Sequence, residues 1–482
     1  MTNLRRTRIA RGFFKLPRFF AFVASMPTCI LFCSDKRCLH FPTAVNLSVN
    51  KANQVFHSNL IVLRRQTMMS KLNFITILFI GFLDYLGIAL VYPIFSAMLF
   101  DLNYPIISYE SSPAYRGALL GILIGLTPLT QFFSAPLLGA ISDLKGRKKT
   151  LIYGTFVGFI GYGLAILGVS MHSLPLLFLY RILLGIASGT VSVAQAMIAD
   201  ISTENNKALR FSLFSTSLGL GFTVGPFLGG KLADASLSSW CGYATPFVAA
   251  SMMSLTSLMI VAWKFPETRK VSSHVTFNFM GSINNIRKVF LWCQLRWLFL
   301  ATFAFAFGWS FFNEFIPVLL RERFHFTLSD IGNYYAYGGA WYAFSSGVIA
   351  ALILKYFPPE RIAVKALIGC AACMLMFLVV QDQQSIWFIL PPLMLCLSFT
   401  YPTTAAMASN RAGIENQGEV LGVYQSVTGC AMGLSPFLIG SAIGMYPALT
   451  AIGGAMAMLL AGLAFWKGSQ PAEANLSLVK DK

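Results

Sequence analysis

The sequence predicts an all-α integral membrane protein with twelve transmembrane helices arranged as two six-helix halves. Of its 482 residues, 56% are hydrophobic and only 11% are charged, whereas an average soluble domain carries about 25% charged residues. The mean hydropathy of +0.66 agrees with this composition. A soluble fold of this size would expose large apolar patches to water. The bilayer is therefore the expected solvent for most of the chain.

Each predicted span is a run of about 20 mostly apolar residues, the length that crosses the hydrocarbon core as a helix. Helices satisfy their own backbone groups in lipid, and these runs are too continuous for barrel strands, which alternate over about 10 residues. The twelve runs lie roughly at 74–100, 116–140, 150–170, 174–198, 209–232, 243–264, 296–320, 330–354, 361–380, 385–408, 419–442 and 446–467.

Residues 1–68 form a basic N-terminal extension that differs from the rest. Eleven Lys and Arg residues and one acid in 1–67 supply +10 of the net charge of +18. Three interpretations remain open: an untranslated upstream stretch, with Met68 or Met69 as the start; an Arg-rich targeting segment; or a membrane-surface helix. We favour the first, and expect the extension to be disordered or not native, because MSKLNFITILF is a typical opening for a first span.

The remaining chain divides into an N-terminal six-helix half at 69–264, a polar cytoplasmic linker at 265–295, a C-terminal half at 296–467 and a tail at 468–482. A short internal repeat supports two halves, since Pro226-Phe227-Leu228 recurs as Pro436-Phe437-Leu438, and Ala196-Met197 as Ala406-Met407, both at an offset of 210 residues. Parallel repeats of six helices are one known plan for secondary transporters.

Loop charge predicts the orientation in the membrane. The loop between the second and third runs is rich in Lys and Arg, and so are the linker and the segment before the first run, whereas three loops on the other side hold neither. Positive loops stay in the cytoplasm, so both termini are expected there, with the chain in a bacterial inner membrane. Because the positive charge is spread over the leader and short loops, the sequence does not predict nucleic-acid binding. We expect a monomer.

No enzyme, cofactor or metal site is predicted. The sequence contains neither a G-x-x-x-x-G-K-[ST] loop for ATP nor H-E-x-x-H nor G-x-S-x-G. The five histidines are scattered, and the C-x-x-C of Cys370 and Cys373 lies in an apolar run, where small packing residues are the simpler interpretation. Cys29, Cys33, Cys38 and His40 resemble a metal set only loosely.

Charged residues inside the apolar runs are the first functional candidates. Asp84 lies about ten residues, or about 15 Å, into the first run, and Arg181 about 10 Å from the outer end of the fourth. Intramembrane charges are costly and usually functional. We expect Arg181 to lie near Asp84 and to control its ionisation, as proton coupling requires; a static ion pair is the alternative. Glu314 in the seventh run is a further candidate.

Polar and aromatic side chains in the runs are candidates for binding a flat, apolar substrate. Packing between helices or against lipid is the competing interpretation. The candidate residues are Gln131, Asn313, Trp309, Tyr337 and Trp341.

A motif follows the second run, with Gly139, Asp143, Gly146, Arg147 and Lys148 in the order G-x-x-x-D-x-x-G-R-K. Glycines permit a tight turn, and the acid and the cations can join neighbouring helix ends by charge-assisted hydrogen bonds. The motif resembles the signature loop of the major facilitator superfamily, with Leu144 where that family has a cation. The resemblance implies the major facilitator fold and a conformational latch made by Asp143 and Arg147, with Asp200 as a partner.

A second motif lies in the fifth run, where Gly221, Gly225, Pro226, Gly229 and Gly230 form G-x-x-x-G-P-x-x-G-G. Small residues allow close helix packing, and the string resembles the motif of proton-coupled drug antiporters in that superfamily.

The segments Phe82–Pro93 and Tyr180–Gly185 are similar to the tetracycline-efflux branch, although Leu184 replaces its usual glutamine. The resemblance implies a proton-coupled exporter of small amphipathic compounds that works by alternating access. A nutrient importer or facilitator is the first alternative, and a receptor or scaffold that transports nothing is the second.

Overall fold

The computed structural model describes residues 73–469, apart from 103, 203, 265–266, 268–280, 293–294, 354–355, 358 and 412. The predicted extension at 1–68 lies outside the described residues, and so does the tail from 470 onward.

The described chain consists of helices joined by short connections. In order they are α1 (Asn73–Phe100), α2 (Pro113–Lys145), α3 (Arg147–Ser170), α4 (Leu174–Ile201), α5 (Glu204–Ala233), α6 (Thr245–Lys264), α7 (Gly281–Leu291), α8 (Arg296–Phe324), α9 (Leu328–Phe344, continued by a π-helical turn at Ser345–Ala350 and by Ala351–Ile353), α10 (Pro359–Val379), α11 (Gln383–Arg411), α12 (Gly413–Met445) and α13 (Leu449–Ser469).

Twelve of these described helices are long, and they match the twelve predicted runs one to one. Ten are long and apolar enough to span a membrane, namely all of them except α9 and α11. The short helix α7 lies within the stretch predicted as the linker, with strongly amphipathic character. We call α1–α6 the N-half and α8–α13 the C-half.

Local sequence signals set several helix starts. Ser112 caps α2 by accepting a hydrogen bond from the Tyr115 N–H, with Pro113 in the first turn. At α9, Thr327 and Asp330 form a capping box, so two of the free donors of this helix end are satisfied. Gly146 separates α2 from α3 with a φ of 97°, a conformation that favours glycine.

The bundle has two ends, defined by the alternating direction of its helices. The basic end carries the α2–α3 loop, and the opposite end carries the starts of α2 and α9 and the ends of α5 and α12. At the opposite end the hydrophobic core of the N-half takes in Phe311, Phe315 and Val318 of α8 and Ile443 of α12. At the basic end the described core of the N-half consists of buried residues of α1 and α3–α6, with Leu138 of α2 packed against them, and it includes no residue of the C-half. The two halves therefore share a core only towards the opposite end.

Two glycine-rich contacts join the halves. In the first, α2 packs along α12, where Gly117 and Gly121 face Gly440 and Gly444 backbone to backbone. In the second, α5 packs along α9, where Gly332 lies against the Pro226 and Phe227 carbonyls. The Pro-Phe-Leu repeat of the sequence thus lies at both contacts, since Pro436 of α12 occupies the equivalent place against Gly121.

Candidate functional site

Asp84 faces the interior of the N-half. The hydroxyl of Ser257 on α6 donates a hydrogen bond of 3.0 Å to Asp84 Oδ1. The carboxyl borders a small cavity between α1, α3, α4 and α6. It is therefore directed into protein and not into lipid, as a functional intramembrane acid should be.

Arg181 is held by the backbone of α2. Arg181 is 2% exposed, and its guanidinium donates hydrogen bonds to the carbonyls of Leu123 (2.5 Å) and Ile124 (3.0 Å). The guanidinium also lies 5.1 Å from the centre of the Phe95 ring. Among the described residues, no hydrogen bond or ion pair joins Arg181 to Asp84, so the expected pairing does not occur in this conformation.

The reason is a proline in α2. Pro128 has no N–H, so the carbonyl four residues earlier, that of Ile124, has no helical donor. A buried carbonyl without a donor is costly, and Arg181 supplies one from α4. The carbonyl that Pro128 leaves free thus decides where the arginine points.

Glu314 lies in the C-half, in the middle of α8, and is 4% exposed. It lies close to the Ser310 side chain and within electrostatic range of Arg181. Tyr92 of α1 lies within range of both charges. The second carboxyl oxygen, Oε2, has no hydrogen-bond partner among the described atoms. In this conformation Arg181 of the N-half and the acid of the C-half lie within electrostatic range of each other, across the boundary between them, although no hydrogen bond or ion pair joins them among the described residues.

Two more prolines create side-chain contacts in the same way. Pro317 leaves the Asn313 carbonyl free, and the Tyr335 hydroxyl donates to it at 2.5 Å. Pro436 leaves the Met432 carbonyl free, and Ser310 donates to it at 3.3 Å. Counting four residues back from each helix-interior proline would have found these acceptors in the sequence, but it would not have found their donors.

The signature loop forms a compact charge cluster at the basic end. Arg147 is 4% exposed, and its guanidinium contacts Asp143 at 2.8 Å, Asp200 at 3.2 Å and the Ser142 hydroxyl at 2.5 Å. Gly139 contributes its carbonyl, which accepts from the Ser142 hydroxyl at 2.7 Å. The structure thus brings together the three residues expected to form the latch.

Glu267 also belongs to this cluster, although the sequence did not predict it. Its carboxylate accepts hydrogen bonds from the backbone N–H groups of Arg147 (2.8 Å) and Lys148 (3.2 Å). It therefore caps the N-terminus of α3, where negative charge is favoured. The signal was weak, because Glu267 is a single acid among the cations of the linker.

The glycines of the α5 motif pack against two helices. Gly221, Gly225 and Gly229 lie against the α1 backbone, where a Cβ on Gly221 would stand 2.6 Å from the Phe82 carbonyl oxygen. Gly230 faces α9 of the other half, where a Cβ on Gly230 would stand 3.0 Å from the Gly332 Cα. The motif lets one helix touch its own half and the other half at once.

The predicted substrate residues are spread over both halves. Gln131 donates to the Ser188 carbonyl at 3.3 Å. Asn313 is nearly buried, and Trp309 packs beside Phe312. Tyr337 packs on Trp387 of α11 and beside Trp341. None of the five borders the cavity at Asp84.

Comparisons with known proteins agree with this architecture. The chain is 28% identical to the class C tetracycline resistance protein of Escherichia coli over 370 residues, which cover 74% of this chain and 86% of that protein. It is 24% identical to the quinolone resistance protein NorA of Staphylococcus aureus (strain COL), over 78% of this chain and 92% of NorA.

Solved structures share the fold. The human organic anion transporter MFSD10 matches with a TM-score of 0.61 at 19% identity, covering 82% of this chain and 99% of the transporter. A D-xylose-proton symporter matches with a TM-score of 0.66 at 15% identity, covering 82% and 98%. The predicted all-helical fold of twelve spans in two halves is confirmed, and the protein is an integral membrane protein of a transporter family. Residues 77–436 match the Major Facilitator Superfamily, and the chain belongs to that superfamily.

Proposed function

We propose that this protein exports small amphipathic compounds, of the tetracycline or quinolone type, in exchange for protons. The two relatives above are named for resistance to those drug classes, and the recognised α5 motif is of the antiporter type. The single observation that carries the proton coupling is a pair of carboxyls inside the protein in opposite halves, the half-buried Asp84 and the buried Glu314, with Arg181 at the boundary.

The coupling follows from charge. A carboxyl that gains a proton loses its attraction for Arg181, and one that loses a proton regains it. Because Glu314 and Arg181 belong to different halves, this change alters the free energy of holding the halves together at the opposite end. Protonation therefore shifts the balance between the two access states, while rocking of the halves exposes the central site alternately.

The orientation and the latch belong to the same proposal. With the basic end in the cytoplasm, the halves are joined on the outer side, which is the inward-open state, and both termini are cytoplasmic. The membrane is the bacterial inner membrane, and the protein acts as a monomer on a small substrate and protons. Closure of the basic end would re-use the Asp143, Arg147 and Asp200 cluster as a latch.

The test is transport in proteoliposomes loaded with tetracycline or a quinolone. We expect a pH gradient to drive efflux, and we expect Asp84→Asn to abolish the pH dependence while the protein remains folded. Uptake in the direction of the proton gradient would instead support the nutrient importer, and the absence of any flux would support a scaffold.

Retained pH-driven efflux in Asp84→Asn would count against Asp84 as the coupling group. Gln131, Asn313, Trp309, Tyr337 and Trp341 stay candidates for drug contact, to be tested by their effect on binding.

A further inference from the structure

The cavity beside Asp84 is small, polar on one side and separate from the boundary between the halves. The volume that the centres of water molecules can occupy in this cavity is about 30 Å³. A cavity needs roughly 10–15 Å³ of such volume to hold one water. Among the described residues, its lining comes only from helices of the N-half. One or two waters fit there.

One hydroxyl group in the lining has no protein partner. Thr155 of α3 is 5% exposed, and its Oγ1 is buried without a hydrogen bond among the described residues. Its backbone carbonyl is already taken, because the Ser254 hydroxyl donates to it at 3.2 Å. A buried hydroxyl without a partner is unfavourable unless water or an ion satisfies it. Thr155 therefore points to a ligand in the cavity.

The other polar groups support the same ligand. Asp84 and Thr155 border the cavity from α1 and α3, and Ser254 borders it from α6. Tyr162 borders it too, and its hydroxyl lies 3.1 Å from where a Cβ on Gly87 would stand. Ser257 holds one oxygen of the Asp84 carboxyl, which leaves the other oxygen for a small hydrogen-bonding molecule. A water placed here would meet the two to four polar partners that buried waters usually have.

We propose that this cavity is a water site that carries the proton of Asp84, with Thr155 as the residue that positions the water. The proton leaves Asp84 Oδ2 for the bound water, and that water gives one of its own protons to solvent water, so the carboxyl becomes a carboxylate, the bound water is regenerated and no covalent bond to carbon changes. This inference rests on the proposed proton coupling. It adds that the proton travels inside the N-half, so that a drug between the halves does not block it.

The test is hydrogen–deuterium exchange of the Asp84 carboxyl in purified full-length protein, followed by infrared spectroscopy at a pH that protonates it. The C=O band that disappears in Asp84→Asn identifies the group. We expect Thr155→Val to slow its exchange about tenfold, which corresponds to one lost hydrogen bond of about 1.4 kcal/mol. Thr155→Ser, which restores the hydroxyl, should return the wild-type rate.

The matched control is Thr302→Val in α8, because Thr302 is also buried but its hydroxyl donates to the Leu298 carbonyl of its own helix. Thr302→Val should exchange at the wild-type rate. The proposal is overturned if Thr155→Val also exchanges at that rate, or if Thr155→Ser stays as slow as valine. The measurement needs no drug, so it can fail or succeed independently of export.

Discussion

A single methyl group at the α2–α12 contact is expected to force the opposite end of the bundle open. A Cβ on Gly440 would stand 2.5 Å from the Gly117 carbonyl oxygen and 2.9 Å from the Gly121 Cα. Both neighbours are backbone atoms, which cannot rotate away. Gly440→Ala therefore penalises only the conformation in which these helices touch.

The size of the effect follows from overpacking. An added methyl in a tight contact costs about 1–3 kcal/mol, and this cost applies to one of the two access states. The populations should shift about 5–150-fold towards the state that is open at the opposite end. The intrinsic gain of about 1 kcal/mol for alanine over glycine in a helix is present in both states and cancels.

The assay is a distance measurement by electron paramagnetic resonance between two spin labels at the opposite end. Tyr109 and Tyr446 are suitable sites, since both are strongly exposed in loops of different halves. Wild-type protein should give mainly the short distance, and Gly440→Ala should add a longer one.

The matched control is Gly429→Ala on the same helix, where the Cβ would stand 3.8 Å from the Phe132 ring, an ordinary contact. The reasoning is refuted if Gly440→Ala and Gly429→Ala give the same distance distribution.

The remaining predictions concern single groups. Pro128→Ala returns an N–H donor to the Ile124 carbonyl, so Arg181 should be held less firmly; transport should fall while thermal stability does not, and a drop in both would contradict this. Arg147→Lys removes the contacts that need a planar guanidinium and should cost about 1.5–3 kcal/mol of stability, whereas exposed Lys149→Ala should change the melting temperature little. The hydrogen bonds from Ser385 lower the pKa of Asp382 below 3.8; Asp382→Ala should therefore lower the melting temperature at neutral pH, and the difference should disappear as the pH falls through that lowered pKa.

The sequence predicted the architecture well because few backbone structures can span a lipid bilayer. Twelve apolar runs, the basic loop after α2 and the glycine strings depend on local composition, and each was found where the structure has it. The contacts of Arg147 with Asp143 and Asp200 could also be predicted, because they join the ends of neighbouring helices.

The carboxyl sites were harder to predict, because their partners come from distant helices. The depths of Asp84 and Arg181 agree to within about 5 Å along the membrane normal, but depth does not say which way a side chain turns around its helix. The Ile124 carbonyl, which Pro128 leaves without a helical donor, accepts a hydrogen bond from Arg181 and so directs this side chain away from Asp84. Ser257 and Thr155 gave no signal beyond being polar residues in apolar runs.

The glycine contacts between the halves have a consequence for how the protein can change over time. Where two helices meet through bare backbone, no side chains interlock, so the surfaces can part without any rotamer having to switch. Because glycine has the smallest side chain, every substitution at these positions adds atoms to the contact. Under drug selection, we therefore expect changes of specificity to accumulate among the side chains lining the interior, while these contact positions tolerate almost none.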